Sequence, residues 1–154
     1  MQISKSDFHQ YLSEYTEDEI FYRNIYLQKK EHPETFQEYL HSLDPDYIRD
    51  RRLYVPELRQ EPWYPYLGEN DMFANIPENI IISKHYRYTP EFTHKHDFFE
   101  ILCVYEGAVN NQIQGIHHTL HTGDICIIPP NTQHSLGIFD DSLAFNIIVR
   151  ASTF

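Results

Sequence analysis

No apolar run in this sequence is long enough to cross a membrane. The longest, Ile80-Ile81-Ile82 and Ile125-Cys126-Ile127-Ile128, are strand-sized, whereas a spanning helix needs roughly 20 apolar residues. Residues Met1 to Asp7 lack the apolar region of an export signal, so a cytoplasmic location is expected. Cysteine is scarce. Cys103 and Cys126 are the two present, too few for a disulfide framework, and both lie in apolar strand-like runs, where reduced thiols are expected. Positive charge is also short: 12 Lys and Arg stand against 23 acidic residues, a formal net charge of −11. Gripping nucleic acid needs a basic face, so this chain is not expected to hold DNA by itself. A Gly-rich phosphate loop, a nucleophile elbow, an internal repeat and low-complexity tracts are all missing. Ser135 follows His134, but the sequence supplies it no acidic partner, and no catalytic residue is assigned.

What is present is enough for one domain with a true core plus a helical arm: 154 residues, 41% hydrophobic and 15% aromatic, with 12 Tyr and 10 Phe. In the first half, Phe8, Tyr11, Leu12 and Tyr15 recur at helical spacing. Thr16 to Glu19 has the form of a capping box, which starts a second helix striped by Ile20, Tyr22, Ile25 and Tyr26. Pro33 suits the first position of a third helix, striped by Phe36, Tyr39, Leu40 and Leu43 and stopped at Asp44-Pro45. The acidic residues Glu14, Glu17, Asp18 and Glu19 fit a solvated helical face. Between 44 and 75, prolines 45, 56, 62 and 65 break the regularity. Trp63-Tyr64-Pro65-Tyr66 forms an aromatic knot expected to pack on something, and Leu67 to Asp71 is a turn.

From Ile76 the texture becomes β. Strands are expected over 79–88, 98–106, 108–114, 116–121, 125–128, 133–139 and 143–150, with turns at Gln114-Gly115 and His121 to Asp124. Side chains alternate along a strand. If residues 94–105 are extended throughout, His94, His96, Glu100, Leu102 and Val104 share one face, and Lys95, Phe99, Ile101, Cys103 and Tyr105 the other. The first face points three metal-ligand side chains into a barrel that Leu102 and Val104 fill beyond them. The second is as apolar as the first and needs cover, from the helical arm or from a partner subunit. With His134 as a fourth donor, His94, His96 and Glu100 make a mixed nitrogen and oxygen set suited to a divalent transition metal: Zn, Ni, Fe, Mn or Cu. His117, His118 and His121 are expected to be exposed on a hairpin. His85, His9, His32 and His41 carry no signal.

These residues spell a known pattern. His94-x-His96-x-x-x-Glu100 followed by Gly107 resembles the first cupin motif, with Tyr88 where its leading glycine would stand. Gly123, Pro129, Asn131 and His134 resemble the second, with Asn131 for the usual glycine and Ile138 for the usual asparagine. The stretches HKHDFFEILCVYEG and LHTGDICIIPPNTQHS are similar to the N-terminal sensing domain of AraC-type transcription regulators, over about residues 78 to 154. The resemblance implies a mostly β cupin-type double-stranded β-helix, a jelly-roll barrel over 76–154, behind a helical N-terminal arm and connector over 1–75. It also implies a small-molecule effector such as a sugar, a homodimer, and DNA binding only through a C-terminal helix-turn-helix domain expected to lie outside this chain, which stops directly after a strand. The effector would sit by His94, His96, Glu100 and His134, with Tyr88 and Phe98, and also Tyr86 or Phe92, as stacking aromatics. The alternative is a stand-alone metal-dependent cupin enzyme, a dioxygenase or sugar isomerase.

Overall fold

The computed structural model describes residues 4–59 and 65–153; Trp63 and Tyr64 of the expected aromatic knot lie outside them. The arm contains α1 (Lys5–Ser13), α2 (Glu17–Glu31), α3 (Phe36–Ser42) and α4 (Pro45–Asp50). Ser4 caps α1 by accepting the Asp7 N–H. The capping box of α2 is complete: Thr16 Oγ1 accepts the Glu19 N–H at 3.1 Å, and Glu19 Oε2 accepts the Thr16 N–H at 2.9 Å.

Two boundaries differ from expectation. Pro33 lies in a turn, and α3 begins at Phe36. Asp44-Pro45 ends one helix but also starts the next, since the Asp44 side chain accepts the Asp46 N–H and Pro45 occupies the first turn of α4. A one-turn helix, α5 (Glu69–Met72), replaces the expected turn. Ile25, Phe36, Leu40 and Val55 close a small core within the arm.

The strands are β1 (Tyr66–Leu67), β2 (Ile80–Lys84), β3 (Lys95–His96), β4 (Phe99–Glu106), β5 (Ala108–Ile113), β6 (Ile116–His121), β7 (Ile125–Ile128), β8 (His134–Gly137) and β9 (Leu143–Val149). They form an antiparallel sheet in the order β2-β9-β4-β7, a second antiparallel sheet in the order β6-β5-β8, and a short parallel pair, β1-β3. This is a jelly-roll barrel behind a helical arm. The first long strand stops at Lys84 instead of running to Tyr88.

The alternation read in β4 holds. Glu100, Leu102 and Val104 are buried, while Phe99, Ile101, Cys103 and Tyr105 are half-buried. Leu102 and Val104 join Val109, Leu136, Ile138 and Ala144 in an apolar plug that fills one end of the barrel. The outer face is covered only in part. From α1, Phe8 meets Tyr105 and Phe145 edge-on, at ring distances of 6.0 and 5.2 Å. Beyond α1, Ile80, Ile82, Ile125 and Ile127 remain more than half exposed.

Positions that the cupin pattern reserves for glycine keep a left-handed backbone here. Gly107 has φ 83°, and a Cβ there would meet Ser142 Oγ at 2.1 Å, so no other residue fits. Asn131 at φ 64° is the non-glycine residue that tolerates this region best, whereas Tyr88 at φ 63° is strained in it. Tyr88 is nonetheless buried against Tyr22 and Leu53, and its N–H donates to the Ile138 carbonyl at 2.6 Å.

The arm is pinned to the barrel by one carboxylate. Glu19, grouped by its sequence neighbours with a solvated acidic face, is fully buried. Besides closing the capping box, it accepts from Lys84 Nζ at 2.7 Å, from Arg87 Nε at 2.8 Å and from the Arg87 backbone N–H at 3.1 Å. Burial alone would raise its pKa, but the hydrogen bonds from Arg87 and Lys84 outweigh that and hold it below the usual carboxylate range. Arg87 also lies over the Tyr15 ring at 3.6 Å. Glu19→Gln leaves two buried cations short of a counter-charge and is expected to cost about 3–5 kcal/mol in urea denaturation. Glu17→Gln, which removes an exposed partner of Arg51, should cost under about 1 kcal/mol.

Candidate metal and ligand site

The site opens at the barrel end opposite the apolar plug. His94 and His134 face each other as an isolated antiparallel bridge, exchanging N–H···O bonds of 2.9 and 3.1 Å. β3 carries His96, and the Asn131 N–H donates to its carbonyl at 2.6 Å. Glu100 lies one turn of the pleat into β4. The structure therefore groups three of the four expected donors, His94, Glu100 and His134, and sets His96 beside Glu100. Ligand atoms of His94, Glu100 and His134 lie within 4.8 Å of one another. His96 Nε2 stands 3.1 Å and His134 Nε2 3.5 Å from Glu100 Oε2.

Each imidazole is oriented the same way. The Nδ1 atoms of His94, His96 and His134 bond the carbonyls of Phe92, Phe98 and Thr132 at 3.2, 2.8 and 3.0 Å. A neutral ring that donates from Nδ1 presents a lone pair on Nε2, the arrangement that orients histidines toward a metal. The Nε2 atoms of His96 and His134 are buried and make no hydrogen bond among the described residues. Two ligands on one metal at about 2.1 Å stand roughly 3 Å apart, close to the separations from Glu100. These side chains fit a divalent metal, and no other acidic or sulfur group among the described residues joins them.

Electrostatics agree with that fit. Burial pushes the Glu100 carboxyl up, yet the His134 and His96 rings that face it hold it well below the carboxylate range. Burial, reinforced by His134, lowers His94 to about 4. The donors are thus an ionised carboxylate and a neutral imidazole at pH 7, as metal binding requires.

Behind the donors lies an inner cavity of about 180 Å³. Phe98, expected as a stacking aromatic, lines it and stacks on His96 at 4.2 Å. Phe92 lines it too, 4.9 Å from His94. Tyr88 does not line it; its ring turns to the arm, against Tyr26, and Tyr86 is 39% exposed. The cavity also receives residues that the sequence reading passed over: Ser83 and His85 from the β2 end, and Asn146 from β9. His85 Nε2 and Asn146 Oδ1 are buried without a hydrogen-bond partner among the described residues. Counting in twos from Ile81, which is packed inward, would have found Ser83 and His85. The run Ile80-Ile81-Ile82 hid that phase, because it is apolar on both faces. His117, His118 and His121 are exposed as expected, and both cysteines are free and half-buried.

Desolvation lowers His85 to about 4. Its folded pKa lies below the unfolded value of about 6.5, so the unfolded chain takes up the proton first. Stability is therefore present above about pH 6.5 and lost as the pH falls toward 4. The ring is only half-buried overall, so water screens the effect. The metal-free chain is expected to lose about 2 kcal/mol through His85 across that interval, and His85→Gln to flatten the slope in urea melts taken from pH 7 to 4.

Residues 79–148 match the family model described as the AraC-like ligand binding domain. Over 81 residues, 53% of this chain, the sequence is 36% identical to the HTH-type transcriptional activator RhaS of Yersinia pestis and of Yersinia pseudotuberculosis. The chain spans 30% of the length of these relatives. Solved structures with a similar arrangement include a cupin protein from Bacteroides fragilis, at 23% identity and TM-score 0.42, covering 56% of this chain and 76% of that one. Another is a predicted oxalate decarboxylase from Thermotoga maritima, at 21% identity and TM-score 0.40, covering 53% and 74%. At such scores the strand order and the gathered donors describe the barrel better than any one neighbour. Residues 79–148 are thus similar in sequence to the AraC-like ligand binding domain family, and their strands form a jelly-roll barrel.

Proposed function

We propose that this chain is the effector-sensing and dimerisation part of an AraC-type transcription regulator, whose DNA contacts are made by a separate C-terminal helix-turn-helix domain. The observation that carries the sensing role is the inner cavity, where His85 Nε2 and Asn146 Oδ1 stand buried and unpaired beside the His94, Glu100 and His134 donors. Buried polar atoms without partners are costly unless a ligand or water satisfies them. A space of about 180 Å³ suits a small, hydroxyl-rich molecule and is too small for most drug-sized ligands. A sugar meets that description, with Phe98 and Phe92 offering ring faces and the polar atoms offering partners to its hydroxyls. A divalent metal at His94, His96, Glu100 and His134 would supply Lewis-acid binding of an effector oxygen. The match to RhaS supports the regulator reading.

The same donor set favours one other reading, a metal-dependent cupin enzyme such as a dioxygenase or sugar isomerase. The two separate in one series. The 154-residue chain is stripped with chelator, reloaded with Zn, Ni, Fe(II) or Mn, assayed for bound metal, and screened by thermal shift against aldoses and ketoses. The expected result is metal uptake weakened about 10–100-fold in Glu100→Gln, together with a rise in melting temperature for at least one sugar. Chemical conversion of that sugar by the loaded chain would replace the sensor with the enzyme.

The homodimer belongs to the same proposal, and its surface is the bare part of the β2-β9-β4-β7 sheet. Phe99, Ile101, Ile127 and Val149 line an apolar depression there, flanked by the exposed Ile80, Ile82 and Ile125. Two copies that each carry a net charge of −11 repel over most of their surface, and this uncharged patch is where they can meet. Sedimentation is expected to show a dimer for the native chain and a monomer for Ile127→Glu. A native monomer would remove dimerisation from the proposal.

A further inference from the structure

A second chamber lies outside the barrel, between the arm and the strands, and its walls belong to neither the metal donors nor the inner cavity. It has a volume of about 380 Å³, about twice that of the inner one. Tyr26 from α2 stacks on Phe139 at 5.5 Å and 19°, and leans against Tyr88 at 5.4 Å. Ile25, Pro56 and Pro90 complete the apolar lining. The polar lining is unequal in charge, since Glu57 and Glu91 stand against Lys29. Lys29 Nζ donates to Glu57 Oε1 at 2.8 Å. The other oxygen, Glu57 Oε2, is buried and makes no hydrogen bond among the described residues.

We propose that this cleft is a binding site for a small organic cation with a flat apolar body, such as an aryl-alkyl ammonium. A buried carboxylate oxygen without a donor bears its desolvation cost uncompensated. An anionic ligand would add repulsion to that cost, and a neutral hydroxyl would supply one ordinary bond. An ammonium group supplies a charge-assisted bond and can also face the rings of Tyr88 and Phe139, which attract cations, as Lys30 Nζ already does over the Tyr26 ring at 5.7 Å. The overall charge of −11 draws a cation toward the protein in the same sense. This site does not depend on the sensor reading.

The test uses the intact 154-residue chain and a matched set of probes: 2-phenylethylammonium, 2-phenylethanol and phenylacetate, titrated by 1H–15N NMR. The ammonium is expected to bind about tenfold tighter than the alcohol, phenylacetate weakest of all, with shifts at Tyr26, Glu57, Tyr88 and Glu91. In Glu57→Gln the preference for the cation should disappear while metal uptake at His94, Glu100 and His134 stays unchanged. Should that variant not fold, the native chain still decides: the cation's advantage must shrink as sodium chloride is raised. Equal affinity for ammonium and alcohol, shifts confined to the inner cavity, or a preference that survives in Glu57→Gln or in high salt would each overturn the proposal.

Discussion

The Glu19 carboxylate is the constraint on which the relation of arm to barrel rests. It ends the unsatisfied donors at the start of α2, and the same two oxygens receive Lys84 at the close of β2 and Arg87 just beyond it. Buried ions this close are held by mutual compensation: removing any one exposes the cost of the others. The consequence is positional. β2 cannot slide without carrying α2, and the loop after β2 cannot turn without breaking a charged bond. That loop leads into Tyr88 and onward to His94, so the geometry of both chambers is set from a residue that lines neither. Lys84 shows the strain of the arrangement, because burial pulls its pKa down while Glu19 pushes it back up.

Much of this was legible from residue order alone. Two-residue alternation from His94 through β4 is unambiguous because His94, His96 and Glu100 share parity with Leu102 and Val104, a parity that survives the bend at 97–98 between β3 and β4, so one count places both the donors and the plug. The capping box at Thr16 was legible because its chemistry is local. What escaped was whatever needed a long-range partner. Glu19 sits among acidic neighbours that do face water, and nothing nearby announces that Lys84 and Arg87 arrive from about seventy residues on. Tyr88 was expected at the barrel mouth because aromatics suit sugars, but its left-handed backbone turns it to the arm. Asp44-Pro45 was legible as a stop, while its second use as a helix start depends on the Asp44 side chain folding back to Asp46. His85 was obscured by a run of isoleucines without polarity contrast.

The barrel divides its work along its axis. One end is closed by Leu102, Val104, Val109, Leu136, Ile138 and Ala144 and can do nothing but hold shape. The other keeps polar atoms in low-dielectric surroundings, where each bond to a metal or ligand counts for more than it would in water. The bonds from Nδ1 to the carbonyls of Phe92, Phe98 and Thr132 are what orient the three imidazoles and leave Nε2 available to a ligand.

The segment from Tyr88 to His94 has a double allegiance. Tyr88, Pro90 and Glu91 line the chamber under the arm, while Phe92 and His94 line the one inside the barrel. The backbone between Glu91 and His94 spans at most about 11 Å even when drawn straight, so the two chambers share a partition and not merely a neighbourhood. A molecule on either side would rest against residues of the same short segment. Such a partition makes the two occupancies thermodynamically conjugate: whatever the first does to the affinity of the second, the second does to the first, by the same factor.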